Sequence, residues 1–489
     1  MKQKLFYILF SMLIFVAMSC DDYDKWTTSP LATLRLSCDT VNFGTVITEQ
    51  SSPTQTMWLW NDHKEGIRIS DIRLAEGSSS LFRVNVDGRY LSNGQGADFE
   101  VRGADSLCVR LEVKAPDIDS DEPHKHSDKL LFTLESGRQQ ELVLEAEGQD
   151  VRILKAQQFD RDATLKAGRP YLVYDSLVVL SDATLSIEPG AILLFHDGVS
   201  LVVRGSLQAV GEVEKPIIFR GDRMDNLLDY LPYDNTTNRW GGIHFMPNCK
   251  PSRLAHCDIH SGDYGIQLDE SEKIDSDVPS LHLSNSIIHN VAGAALSVRD
   301  NSAIVEGTQF SNALGNVVDL LGGHTSFTHC TMAQFYPWLA ERGAALCLAD
   351  HVGDGPHRVD HPLLSASFVN CIVTGYADDV VEFSLTDTQD ARSPWLISHC
   401  LLRTPHTSDD RLVEVIFDEE DLSPNGKDHF SLFDTENFLY DFTPKPESIV
   451  RGKADPSVTQ MISPNDRRGR KRIHDDGTSD LGSEAYYEN

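Results

Sequence analysis

An eight-residue pattern of apolar and small positions recurs six times in the second half of the chain. It reads LAHCDIHS from Leu254, LSNSIIHN from Leu283, VEGTQFSN from Val305, FTHCTMAQ from Phe327, FVNCIVTG from Phe368 and ISHCLLRT from Ile397. The first position is always large and apolar: Leu254, Leu283, Val305, Phe327, Phe368, Ile397. The fourth is always small: Cys257, Ser286, Thr308, Cys330, Cys371, Cys400. The sixth is apolar again: Ile259, Ile288, Phe310, Met332, Val373, Leu402. Positions four and six share a parity, so they project from one side of an extended strand. The third position is His256, Asn285, Gly307, His329, Asn370 or His399. These residue types tolerate positive φ best, which predicts a bend there. Each unit therefore reads as a short strand, a corner and a second short strand.

A third strand follows most units: GIQLD from Gly265, AALSV from Ala294, NVVDLL from Asn316, VVEFSL from Val380 and LVEVIF from Leu412. The shortest spacing between units, about 22 residues, suits one solenoid turn, and the longer spacings accommodate inserted loops. One such turn cannot bury its own apolar face, so the turns must stack. The expected architecture is all-β, a parallel β-helix. A β-sandwich with coincidental alternation would leave the recurring small column unexplained; that column reads as inward packing, with cysteine behaving as a small buried hydrophobe.

Two upstream regions carry different patterns. Residues 33–151 hold many short alternating runs, among them TQTMWLW, IRISDIRL, LCVRLEV and KLLFTLE, punctuated by Gly, Asn, Asp and Ser. That spacing predicts a β-sandwich. From residue 152 the short strands of TLSIEPGAILLFHDGVSLVVRGSLQAVGEVEKPIIFRG (Thr184–Gly221) open the β-helix. The segment 222–239 interrupts it with Asp222, Asp225, Asp229, Tyr230, Tyr233 and Asp234. The expected domains are 1–19 (signal peptide), 20–32 (acidic tether), 33–151 (sandwich), 152–455 (β-helix) and 456–489 (a tail packing on the β-helix).

The formal charge of −31, from 43 Lys+Arg against 74 Asp+Glu, excludes nucleic acid and anionic membrane surfaces as partners but not neutral sugars. Hydrophobics at 40% are ample for a core, which excludes global disorder. Residues 1–20 place two lysines before an apolar run that ends in small residues, a secretory pattern too short to span a bilayer. Export permits a Cys38–Cys108 bridge, although buried free thiols fit the same strands.

Several segments resemble known families. Ala17-Met18-Ser19-Cys20 resembles a bacterial lipobox, which implies lipid modification of Cys20 and membrane attachment through that anchor alone. The acidic cluster Asp21, Asp22 and Asp24 is similar to the export signal of Bacteroidetes surface lipoproteins, which implies an outer-membrane, cell-surface location. VNFGTV (Val41–Val46), LFRV (Leu81–Val84), ADSLCVRLEVKAP (Ala104–Pro116) and the Lys129–Asp150 stretch resemble the immunoglobulin-like domains of the abnormal-spindle/hydin type, which serve as spacers or contact modules. NVVDLLGGHTSFTHCTMAQFYPW (Asn316–Trp338) and the tail SPNDRRGRKRIHDDGTSDLGSEAYYE (Ser463–Glu488) resemble Bacteroides right-handed parallel β-helix lipoproteins, the tail with an altered tyrosine register. The resemblance implies the right hand of the helix; it does not imply an activity, because the fold hosts lyases, hydrolases, adhesins and scaffolds.

Candidate chemistry is sparse. The central coils offer only Arg253, Lys273, Arg299 and Arg342 as basic side chains, with no Lys–Arg pairing at neighbouring coil positions of the kind a uronate lyase needs. The Asp378-Asp379 and Asp409-Asp410 pairs lack the context of a polygalacturonase-type site. Asp258, His260 and His289 fall on outward positions in register and could do general acid–base work beside Asp263 and Tyr264. Tyr230, Tyr233, Asp263 and Tyr264 are candidates for ligand contact. His351, His357 and His361, with Asp354 and Asp360, are candidate metal ligands, although their spacing fits no compact metal motif. No cofactor is expected, except that a lyase could use Ca²⁺ in place of Arg or Lys to neutralise the uronate carboxylate. The leading expectation is a non-catalytic binding or adhesion surface for glycans. The alternatives are a polysaccharide lyase or glycoside hydrolase, and a structural subunit bound to an envelope protein.

Overall fold

The computed structural model describes residues 25–228, 230–386, 392–419 and 426–488. The signal peptide, Cys20 and the acidic cluster lie outside the described residues. Among those described, no helix is long and apolar enough to cross a membrane. The chain forms two compact units that divide between Asp150 and Val151.

The first unit is a sandwich of two five-stranded sheets. One contains Gln55–Trp60, Ser106–Val113 and Phe82–Val86; the other contains Thr40–Ile47, Gln139–Gln149, His124–Leu134 and Ile67–Leu74. Alternation builds it, interrupted by a bulge between Ile69 and Asp71. Along Ile67–Leu74, Ile67, Ile69, Ile72 and Leu74 are buried while Arg68, Ser70 and Arg73 face water. The inward sets of both sheets form one core with Met57, Val109, Phe132 and Leu144. Cys38 and Cys108 are free thiols.

The second unit is a parallel β-helix with three strands per coil. One coil comprises Ser252–Ala255, Cys257–His260 and Ile266–Leu268, and the next Leu281–Ser284, Ile287–Val291 and Leu296–Arg299. Each strand pairs in parallel with its counterpart one coil on, as Leu254 with Leu283, Ile259 with Ile288 and Ile266 with Leu296. The first column of strands forms a 10-stranded sheet and the other two join as an 18-stranded sheet. Like residues therefore stack: the Phe327 and Phe368 rings lie parallel with centroids 5.1 Å apart. Positions one, four and six of all six units are buried. Each large apolar side chain removed from water in this way contributes roughly 1.5–3 kcal/mol.

The corner residue has positive φ in every unit: His256 47°, Asn285 46°, Gly307 56°, His329 51°, Asn370 57° and His399 49°. The bend breaks the strand and strands the next backbone N–H inside the coil. The small side chain at position four answers this. Ser286 Oγ accepts from Cys257 N (3.0 Å), Thr308 Oγ1 from Ser286 N (3.4 Å), Cys371 Sγ from Cys330 N (3.4 Å) and Cys400 Sγ from Cys371 N (3.2 Å). The same side chains donate to the carbonyl two residues earlier in all six units. Packing alone is thus an incomplete account of the column, since alanine would fill the space and leave the amide unpaired.

The C-terminal segment covers part of the outward face of the second strand column. Phe430, Phe442, Val450 and Leu481 form an apolar cluster with Ala333, Ile372 and Leu401, which occupy outward positions of three units. Further on, Gly482 and Ser483 lie over Thr331 and Ile372. Glu484 is buried and paired with Arg467, Arg468 and Arg470.

Candidate functional site

The outward side chains that this cover leaves partly open lie at the start of the same column. Register aligns Asp258 with Ile287 and His260 with His289. His260 Nδ1 lies 2.8 Å and His289 Nε2 3.2 Å from a single oxygen, Asp258 Oδ1. The two imidazole centroids are 5.0 Å apart, as adjacent coils dictate. The His260 side chain is 8% exposed, against 33% for Asp258 and 22% for His289, so the group opens to solvent on the Asp258–His289 side.

The closed side is made by the insertion after Gly221. Asp234 Oδ1 stands 3.5 Å from His260 Nε2, and Arg220 Nη2 stands 2.6 Å from the same oxygen. This contact is a long ion pair, and Nε2 has no closer hydrogen-bond partner. The insertion is anchored to the coils it covers: Asp234 O accepts from Ser261 Oγ (2.8 Å) and Asn290 Nδ2 (3.1 Å). Trp240, buried where the chain re-enters the coil, stacks on Phe195 and donates Nε1–H to His260 O (2.8 Å).

These contacts set the charges. Burial works against ionisation of Asp258, but His260 and His289 outweigh it and hold the carboxyl well below the usual range. Burial would likewise lower His260; Asp258 and Asp234 reverse this and push it up to about 9. Asp234 is also held low, its burial offset by His260 and Arg220. At neutral pH the group is therefore an imidazolium between two carboxylates, one of them also tied to Arg220. Such an arrangement holds its proton rather than offering a free base.

The other expected site residues are dispersed. Tyr233 is 4% exposed, and burial followed by Asp222 pushes its hydroxyl up to about 12; it faces the interior of the insertion and is not a surface contact. Tyr230 is exposed and Tyr264 partly so. The Tyr264 ring lies against Gly293, and none of the hydrogen bonds of the Asp258 group reaches Asp263 or Tyr264. Asp222 is bound by His196 and Asp225 by Arg223, so these two carboxylates brace the insertion, and Asp229 lies outside the described residues. Asp378 pairs with Arg403, and Asp409 with Arg411 and Arg392, so neither D-D pair is free.

His351, His357 and His361 do not converge. His351 binds Asp350 (2.6 Å), His361 binds Asp300 (2.5 Å), and His357 is exposed on a short turn. Among the described residues, the one group of three His, Cys, Asp or Glu side chains able to share an ion is Asp258, His260 and His289. Sequence reading missed Arg220 and the role of Asp234. Arg220 follows the strand residues Ile217 and Phe219, which pair with Cys257 and Ile259, and so falls in the His260 column. That register was the signal available.

No protein-family model matches this chain, and no curated protein sequence matches it. Solved structures give weak likenesses. The chain is similar to the catalytic unit of a GH87 α-1,3-glucanase from Streptomyces thermodiastaticus at 11% identity and TM-score 0.26, over 74% of this chain and 75% of that one. It is similar to the ASH/PapD-like domain 7 of human CEP192 at 11% identity and TM-score 0.18, over 25% of this chain and 90% of that one. It is also similar to a family 123 glycoside hydrolase from Clostridium perfringens at 7% identity and TM-score 0.18, and spans about a quarter (26%) of that enzyme's length. Similarity at this level carries no argument about activity.

Proposed function

We propose that this chain is a cell-surface lipoprotein of the Bacteroides type, anchored through Cys20, whose β-helix binds neutral glycans without cleaving them. In this reading the N-terminal sandwich, of the abnormal-spindle/hydin type, is a spacer. The observation that carries the non-catalytic reading is the ion-paired state of the acid–base groups. Asp258, Asp234, Asp378 and Asp409 each face a cation, and His260 is held protonated between two of them. Retaining and inverting glycosidases instead need two carboxyl groups flanking the sugar. The net charge of −31 disfavours acidic polymers and leaves neutral sugars as the fitting class. Exposed Tyr230 and half-exposed Tyr264 are the aromatic surfaces on which a sugar face can stack.

The runner-up is hydrolysis or lysis at Asp258, His260 and His289, favoured by the convergence of both imidazoles on one carboxylate. Affinity electrophoresis in gels containing neutral polysaccharides tests the binding reading. Retardation is expected, and replacing Tyr230 and Tyr264 together by alanine should weaken it about tenfold or more. No retardation across a broad panel would overturn the reading.

A further inference from the structure

We propose that Asp258, His260 and His289 bind one divalent transition ion of the zinc class. The inference goes beyond the glycan reading and stands whether or not that reading holds. The ligand atoms of the three residues all lie within 4.8 Å of one another. Two separations, 2.8 Å from His260 Nδ1 and 3.2 Å from His289 Nε2 to Asp258 Oδ1, approach the spacing of ligands around such an ion. Ligands about 2.0–2.1 Å from a tetrahedral zinc stand roughly 3.3 Å apart. The two imidazole nitrogens lie within 4.8 Å of each other, so seating the ion draws the rings together by up to about 1.5 Å and displaces the proton that His260 otherwise holds.

The surroundings fit the same role. A metal-bound imidazole is normally held by a carboxylate at its other nitrogen. With His260 Nδ1 as the ligand, the remaining nitrogen, Nε2, is the one that lacks a hydrogen-bond partner, and it faces Asp234 Oδ1 at 3.5 Å. Arg220 fixes that carboxylate from behind (2.6 Å), and Ser261 and Asn290 hold its backbone. Asp234 is therefore the positioning residue. Two imidazoles and one carboxylate select zinc, copper, nickel or cobalt over calcium and magnesium, which prefer all-oxygen shells. Three protein ligands leave a fourth position, and it opens towards the partly exposed side of Asp258 and His289.

The test uses the whole, tag-free protein, stripped with a chelator and dialysed. Calorimetric titration with Zn²⁺ should give one equivalent per chain, and Co²⁺ should develop the intense visible bands of a four- or five-coordinate N/O site. Asp258→Asn and His289→Ala should each lower the Zn²⁺ affinity at least about tenfold, and Asp234→Asn should lower it about 10–100-fold, as loss of an outer carboxylate does. His351→Ala with His361→Ala should leave it unchanged. Circular dichroism of each metal-free variant checks its fold, and the Co²⁺ spectrum of the unmodified protein needs no variant. Absence of binding, a six-coordinate Co²⁺ spectrum, or affinity that follows His351 and His361 instead would overturn the assignment.

Discussion

Single side chains in the coil corners carry a polar task inside an apolar column. Cys371 Sγ accepts from Cys330 N and donates to Val369 O, the pattern that Ser286 and Thr308 repeat with oxygen. Cys371→Ala should destabilise the β-helix by about 1–3 kcal/mol by leaving a buried amide unpaired. Cys371→Ser, which keeps both bonds, should cost clearly less; equal losses in urea unfolding would refute the hydrogen-bond role. A second residue-scale prediction concerns pH. Asp455 N donates to Asn370 Oδ1 (2.7 Å) and Asp455 O accepts from Asn370 Nδ2 (3.1 Å), which fixes the amide orientation. Asn370 Nδ2 stands 3.0 Å and Thr459 Oγ1 2.8 Å from His329 Nε2, in a site closed to water. Burial, with Arg472 nearby, holds the His329 pKa well below the usual value. A depressed folded pKa gives stability that is complete above the unfolded value of about 6.5 and is lost as pH falls below it, by up to about 1.4 kcal/mol per pH unit. Unfolding midpoints should thus fall from about pH 7 to about pH 5, and His329→Asn should flatten that slope; an unchanged slope would count against the neutral, buried ring. The position-three types pointed to positive φ directly, because they answer to local backbone sterics. The hydrogen-bonding purpose of the Cys/Ser/Thr column was not legible, because it depends on which amide the next coil presents.

At the scale of elements, the column of corners is also the track on which the C-terminal tail lies. Gly307 has φ 56°, and a Cβ there would collide with the Arg472 guanidinium and the Asn285 amide. Arg472 is buried, donating to Asn285 Oδ1 (2.9 Å) and Ser483 O (3.2 Å). Gly307→Asn keeps a residue type that two other units carry at this corner, so the backbone can accept it, but the side chain must displace Arg472. Backbone hydrogen exchange over residues 463–488 should then accelerate; unchanged exchange would show that the arginine does not secure the tail. The six-fold repeat revealed the strands and their facing because short-range alternation fixes both. It could not reveal why the third unit has glycine, since the reason sits on a tail remote in sequence. The switch of outward positions to Ala333, Ile372 and Leu401 did carry a readable sign that something covers the later coils.

Across the β-helix as a whole, two additions decide which outward side chains meet solvent. The insertion after Gly221 closes one side of the Asp258 group through Asp234, and the C-terminal segment covers the same strand column farther along. The sequence pattern identified Asp258, His260 and His289 as register partners because stacked coils align like positions. It also offered Tyr233 as a ligand contact and His351, His357 and His361 as metal ligands, which the folded chain buries or disperses, since side-chain partners in loops follow tertiary contacts rather than spacing. What remains at the surface is a charge-balanced group beside scattered aromatics, which is the basis for binding without turnover. The most direct test incubates the purified protein with neutral and acidic polysaccharides, with and without Ca²⁺ or Zn²⁺, and follows polymer length by size-exclusion chromatography. Binding without turnover predicts unchanged chain lengths, with at least one neutral polymer co-migrating with the protein. Shortened chains, lost on replacing Asp258, His260 and His289 together in a variant that still folds, would contradict it and make the group an active site.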